Sequence, residues 1–535
     1  MNGLSRNALV AAMLVLGAAC SPSTAPLQET GGCVTDLACP AGEECGAGGC
    51  QPLAPTLYPH IQTASALFRP HLDGNEASWR AAHNDVLIAF VAGHVDAFRA
   101  VNPHVRLFEY INIRYHRYDD VPPTASDWAI AHGYDPEDFY LHYREDVDVP
   151  TWESIVLVGG YPPGRVPGWV PGGPTPSASA VARYQSRAVG FYGGGSTIFY
   201  MANVEHAPMR LFIAAHMAAL LDGSYYGVSF ATGPMDGIIV DNAIHYPQFD
   251  EGLLAHTHEY WGLPNDDYHP YARAFETLYP EMAQALAARL GFPADLLINY
   301  GHASFLNNNN LVARNIQKTT PWAWAQVWVT YRGYASPTLG PTRCITYERD
   351  YEHAVAAVVR QTRALGRRVL GVHDLGGGGA GSDRGRLFTL ALYYLLHNRH
   401  TYYLYETVNG HQGAGPLSAW QWNEAVTFDV GQPAPVPPGR VDFDGKAGTT
   451  EHYLLASGAD PYDGGLTYRV FARRFTNALV IVKMLPEGSV VDDRSITTHP
   501  LDGSYAVLQA DGTLGAVVTE ATIRNNEGLI LIPVD

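Results

Sequence analysis

The sequence predicts an α/β fold, a (β/α)8 TIM barrel followed by an antiparallel β-sandwich domain, from three features of its 535 residues. Short runs rich in Val, Ile, Leu and Tyr recur, each followed by polar or glycine-rich residues and then a segment of helical period, the pattern of βα units on a parallel sheet. One run, Gly237-Ile238-Ile239-Val240, is wholly apolar and ends in Asp241-Asn242, which places a carboxylate at a strand's C-terminal end. Beyond Gln432 to Pro438 (QPAPVPP) the helical period stops, and alternating, turn-rich segments take over.

Eight strands are predicted at 61–65, 86–92, 106–112, 237–241, 296–300, 325–331, 369–373 and 401–405, and eight parallel strands separated by helices close into a barrel. Two connecting helices are marked by apolar residues at 3.6-residue spacing. Met282, Leu286 and Leu290 line one that Gly291 ends; Ala354, Val355, Val358, Val359, Thr362 and Leu365 line another that Gly366 ends. More than 120 residues separate the third and fourth strands. They hold a helix over 204–221 and, before it, a Pro/Gly/Tyr/Trp-rich stretch over 122–196, and a long excursion on the loop side of a barrel is usually functional. The C-terminal sandwich is read from TYRVFARRF, ALVIVKMLP, YAVLQADG and GLILIPVD.

Four regions are therefore expected: a signal peptide over 1–20, a Cys-rich linker over 21–55, the catalytic barrel over 56–430 and the β-sandwich over 436–535. Arg6, the apolar run Ala8 to Leu16 and the small-residue site Gly17-Ala18-Ala19-Cys20 resemble a bacterial lipoprotein signal, with Cys20 lipidated. The apolar run is too short to span a bilayer. Cys33, Cys39, Cys45 and Cys50 lack the CxxC knuckles of zinc sites and read as two disulfides of an exported protein, with three possible pairings. The expected place is the bacterial cell envelope, lipid-anchored or secreted. A net charge of -18 excludes nucleic acid and anionic membrane surfaces as partners, leaving the membrane touched only through the N-terminal lipid.

Asp241 is the leading chemical candidate, because barrel active sites are built at the C-terminal rim and a carboxylate there is costly unless used or paired. Its alternative role is to cap the following helix. Asp236, at the other end of the same strand, belongs to the opposite face. Further acids close other strands: Glu406 in TYYLYE, Asp374 in VLGVHD and Glu109 in LFEYIN, with Glu348 in the loop after the sixth strand. Glu109, Asn112, Asn203, Asn242, His245, Asn299, Tyr331 and His373 supply the amide, imidazole, phenol and carboxyl groups that bind hydroxyl-rich ligands. No HExxH pattern, GxSxG elbow or Walker lysine is present, so no metal, no serine nucleophile and no cofactor is expected.

The helix-and-strand string YMANVEHAPMRLFIAAHMAALL…PMDGIIVDN resembles the glycosyl-hydrolase-like TIM-barrel families related to endo-alpha-1,4-polygalactosaminidase and alpha-galactosidase barrels. FEYIN and TYRVFARRFTNALVIVKMLP are similar to the third strand and the C-terminal β-domain of those families, with Ala478 and Lys483-Met484 departing from the pattern. The resemblance implies that the acid of the fourth strand, Asp241, lies at the catalytic centre. Two readings follow. The first is an extracellular, monomeric glycoside hydrolase acting on a polysaccharide or oligosaccharide, with Asp241 as nucleophile or base and Glu406 or Asp374 as general acid. The second is a non-catalytic, surface glycan-binding lipoprotein on the same scaffold.

Overall fold

The computed structural model describes residues 43–46, 49–52, 56–67, 74–89, 92–113, 124–142, 189–192, 197–200, 202–241, 270–299, 322–325, 348, 368–374, 383–406, 422–434, 454–486 and 495–534. The chain divides into two compact units, Met1–Pro52 and Leu53–Asp535. In the first, strands β1 (Glu43–Gly46) and β2 (Gly49–Pro52) form a hairpin that sets Cys45 opposite Cys50, and Cys50 is disulfide-bonded. Cys20, Cys33 and Cys39 lie outside the described residues.

The second unit opens with β3 (Thr63–Leu67), α1 (Gly74–His83), β4 (Val86–Ala89), α2 (Val95–Val101) and β5 (Arg106–Asn112). After α3 (Ala125–Ala131) and a small hairpin of β6 (Val189–Tyr192) and β7 (Thr197–Tyr200) come α4 (Ala207–Leu221) and β8 (Gly237–Asp241). Then follow α5 (Pro270–Leu290), β9 (Asp295–Asn299), β10 (Trp322–Ala325), β11 (Arg368–Asp374), α6 (Asp383–Leu396) and β12 (Thr401–Glu406). Strands β3, β4, β5, β8, β9, β10, β11 and β12 pair in parallel in that order, and β12 returns to β3, so the sheet closes on itself. The helix predicted over 354–365, and residues 122–123, 143–188 and 193–196 of the stretch predicted over 122–196, lie outside the described residues.

Seven of the eight predicted strands overlap the observed ones along most of their length. Of the sixth, predicted over 325–331, Ala325 is described and pairs with Gly371 of β11, in a ladder where Trp322 stands opposite Leu297 of β9 and Arg368 of β11; residues 326–331 lie outside the described residues.

Alternation along the strands sorts side chains into two layers. Phe108, Ile239, Leu297 and Leu404, with Val86, Ile88 and Tyr402, fill the lumen. Leu107, Ile111, Ile238, Val240, Leu296 and Ile298 face outward and pack with Met209, Phe212, Ile213 and Met217 of α4. Each such Leu or Ile, fully buried, contributes about 1.5–3 kcal/mol. The N-terminal end of the lumen is closed by charge: Arg106 forms an ion pair with Asp295. Asp236 accepts from the Leu107 amide at 2.8 Å and from Arg99 at 3.1 Å, which binds the loop entering β8 to β5 and α2.

The C-terminal part is one six-stranded antiparallel sheet, in the order β13 (Leu454–Ala459), β14 (Thr467–Arg474), β15 (Leu479–Lys483), β18 (Glu527–Val534), β16 (Ile496–Leu508) and β17 (Leu514–Arg524). Among the described residues it is a single sheet rather than the two facing sheets of a sandwich, because a helix takes the place of the second layer on one face. α6 lies so close to β18 that a Cβ on Gly528 would sit 2.5 Å from Ala391 Cβ. Arg473 of β14 caps that helix, its Nη1 donating to the carbonyls of Tyr394, Leu395 and His397 at 2.8, 3.1 and 2.8 Å. Lys483 is fully buried and donates to the Ser495 carbonyl and hydroxyl at 3.0 and 2.9 Å, and burial lowers its pKa to about 8.

Candidate active site at the barrel rim

Asp241 ends β8 on the face of Ile239, so its half-buried carboxyl lies in the lumen at the C-terminal rim. The strands on either side each supply it with a donor. The Tyr110 hydroxyl of β5 donates to Oδ2, and the Asn299 amide Nδ2 of β9 donates to Oδ1 at 2.6 Å. Alternation explains both contacts. Tyr110 stands two residues beyond the lumen residue Phe108, and Asn299 two residues beyond Leu297. Both Asp241 oxygens are therefore satisfied by neutral groups. Among the described residues no Lys, Arg or His forms an ion pair with this carboxylate, whereas Asp295 and Asp236 at the other end are each paired with an arginine.

Asn112 pairs in register with Asp241 across the β5–β8 ladder. Asp374 pairs in register with Glu406 on β11 and β12, and His373 with Tyr405. The strand order makes β12 the fourth neighbour of β8 in both directions, so Glu406 stands on the strand opposite Asp241 and Asp374 on the one beside it. The side chains of Asn112, His373, Asp374 and Glu406, and all of Asn242, His245 and Tyr331, lie outside the described residues.

Three expected site residues are placed elsewhere. Glu109 was grouped with the rim but shares the outward face of Leu107 and Ile111 and is 1 % exposed. Its Oε1 accepts the Tyr110 amide at 3.2 Å, the Tyr226 hydroxyl lies beside it, and Oε2 accepts no hydrogen bond. Burial raises its pKa well above the ordinary carboxylate value, so it stays protonated far longer than a solvated glutamate. Burial, and then the nearby Glu109, push Tyr226 up as well. Asn203 uses its amide on the Asp138 carbonyl at 3.0 Å, bracing the approach to α4. Glu348 is buried and paired with Arg469 of β14 at 2.7 Å, a link between the barrel's connecting segment and the C-terminal sheet.

Glu109 gives a pH-dependent expectation. The folded state keeps the proton while the unfolded chain releases it, so stability falls as pH rises through the window between the unfolded and the raised folded pKa, by up to about 1.4 kcal/mol per pH unit. Glu109→Gln removes that loss. Thermal melts from pH 4 to 8 should show the variant gaining on the wild type as pH rises; a constant difference across the range would refute a buried, neutral Glu109.

Tyr110 was missed in the sequence, although a signal existed. Glu109 and Asn112 were both chosen from LFEYIN, yet residues three apart on a strand face opposite sides, and only the parity of Phe108, Tyr110 and Asn112 matches Asp241. Among the described residues no group of three His, Cys, Asp or Glu could hold a metal ion. No helix there is long and apolar enough to cross a membrane.

No family model matches the chain, and no curated protein does. Solved structures do. A cycloisomaltooligosaccharide glucanotransferase of Paenibacillus sp. is 11% identical over 92% of this chain and 58% of its own, with a TM-score of 0.34. An isomaltulose synthase of Erwinia rhapontici is 10% identical over 90% of this chain and 99% of its own, at 0.40. A trehalulose synthase of Pseudomonas mesoacidophila is 11% identical over 90% and 100%, at 0.39. The chain thus spans under two thirds of the glucanotransferase's length. At such TM-scores these likenesses carry no argument about chemistry, which rests on the residues described above.

Proposed function

We propose that the chain is a glycoside hydrolase of extracellular polysaccharide or oligosaccharide, built on a (β/α)8 barrel and held in the bacterial cell envelope through a lipid on Cys20. The observation that carries this reading is the carboxylate of Asp241, in the lumen at the C-terminal rim, oriented by two neutral donors and neutralised by no described cation. A structural acid in such a place is ordinarily paired with a cation, as Asp295 is with Arg106. The resemblance of PMDGIIVDN to the strand motif of glycosyl-hydrolase-like barrels points to the same residue.

Hydrolysis needs a second carboxyl group, which protonates the leaving glycosidic oxygen while Asp241 attacks the anomeric carbon or takes a proton from water. The net reaction adds water across the C–O bond. Glu406 is the favoured acid, since its strand faces that of Asp241 across the ring, and Asp374 is its neighbour in register. A pair about 5–5.5 Å apart would give retention of configuration and one about 6.5–9.5 Å apart inversion.

Purified protein incubated with a panel of bacterial and plant polysaccharides, followed by reducing-end detection, is expected to release new reducing ends from at least one. Glu406→Gln should depress that release far more than Asp374→Asn. Silence of the wild type across the whole panel would sink the hydrolase reading.

A further inference from the structure

We propose that Tyr110 is a positioning residue for Asp241, and that with Asn299 it forms a two-donor clamp which fixes the carboxylate for the base or nucleophile role; the inference rests on the hydrolase reading above. The two donors come from the strands that flank β8, one on each side, and each meets a different oxygen of Asp241. The ladder positions of both are set well below the rim: Ile239 pairs with Leu297, and Tyr110 pairs with Ile239. Both donors are thus carried on strands whose register with β8 is fixed by the ladder.

Neutral donors serve a reacting carboxylate differently from a cation. An arginine would orient Asp241 but also neutralise it, leaving a poor nucleophile and base. A phenol and an amide orient it and leave its charge intact. The same barrel shows the contrast, for its N-terminal acids Asp236 and Asp295 are given arginines while its rim acid is given none among the described residues. Tyr110 is itself held from below, since Phe108 precedes it on the same face and packs in the lumen cluster. Removing the hydroxyl therefore frees one carboxylate oxygen without emptying the space that the ring fills.

The test is Tyr110→Phe, which deletes only the hydroxyl, with Asn299→Ser as the parallel variant for the other donor. In substrate-free protein carrying carboxyl-13C aspartate, the resonance that disappears in Asp241→Asn belongs to Asp241, and Tyr110→Phe should shift it with little change in the thermal midpoint. On the polysaccharide that the wild type cleaves, kcat should fall on the order of 10²-fold with KM within about twofold, as expected for a misplaced catalytic group. A 13C resonance that does not move, or turnover equal to wild type, would overturn the clamp even if cleavage is intact. A shifted resonance in a protein that cleaves nothing in the panel would instead sink the hydrolase reading, and with it the positioning role. If Tyr110→Phe fails to fold, the same two readouts on Asn299→Ser decide the question.

Discussion

Asp241→Asn is expected to abolish turnover by several orders of magnitude while leaving the fold intact. Asparagine has nearly the shape of aspartate, and Ile239 and the β8 ladder beneath it are untouched, so the strand should form as before. Two things change. The charge that would attack the anomeric carbon or take a proton from water is gone, and an amide nitrogen must face one of two groups that now donate to the carboxylate. The Asn299 amide offers only hydrogens toward Oδ1, so the new side chain must turn its carbonyl there and its NH2 toward Tyr110, whose hydroxyl can rotate to accept. The loss of stability should therefore be small, about 1 kcal/mol or less in keeping with a neutral hydrogen-bond exchange. Reducing-end release and a thermal melt on the same preparation check both halves. Near-normal turnover would remove Asp241 from the chemistry, and a variant that unfolds would make it a structural acid.

The sequence made the barrel legible because its strands are buried on both faces and read as continuous apolar runs with turn residues between them. LLIN at β9 and GIIVD at β8 are of this kind, and their boundaries were read to within a residue. Of the sixth predicted strand, 325–331, Ala325 falls in β10 and the rest lies outside the described residues. Asp241 and Asn299 were legible as rim residues because they close such runs. Tyr110 was not, because a tyrosine inside a strand is most often core, and its meaning depends on which residue of the next strand stands opposite. That register is a non-local fact. Glu109 failed for the converse reason: acid identity was read without strand parity, and an acid on the outward face of a barrel strand meets helices rather than a ligand. Burial raises the pKa of its carboxyl group well above the ordinary value, which favours the neutral form and makes ionisation costlier as pH rises.

The two ends of the barrel now make physical sense together. At the N-terminal end the lumen is sealed by opposite charges, Arg106 with Asp295, and the β8 entrance is fastened by Arg99 and Asp236. The strands fixed at that end are the ones whose Tyr110 and Asn299 donate to Asp241 at the rim, a carboxylate that no cation among the described residues neutralises. The same strand thus begins among paired charges and ends in a carboxylate held by neutral donors.

Gly237 is where that arrangement is most exposed to a single change, and Gly237→Ala is expected to cost about 3 kcal/mol, the upper end of the overpacking range. A Cβ at this position would stand 2.3 Å from the Asp295 carbonyl oxygen, 2.8 Å from Phe108 Cε1 and 2.9 Å from Asp295 Cβ. Two of these are backbone or near-backbone atoms, so no rotamer change relieves them, and β8 must move away from β9. Doing so disturbs the Asp295 amide, which donates to the Asp236 carbonyl at 2.9 Å, and the ion pair that Asp295 makes with Arg106. It also pushes on Phe108, directly below Tyr110 on the same face of β5, so the clamp on Asp241 should loosen along with the ladder. The glycine of the Asp-Gly pair that begins this strand is thus required for close approach of the neighbouring strand, not for a turn. Gly93→Ala is the control, since a Cβ there meets nothing within 4 Å, and it should shift stability by no more than about 0.5 kcal/mol. Urea melts of both variants decide the matter: equal midpoints would mean that β8 and β9 have room to separate, and that the rim is held by something other than the ladder beneath it.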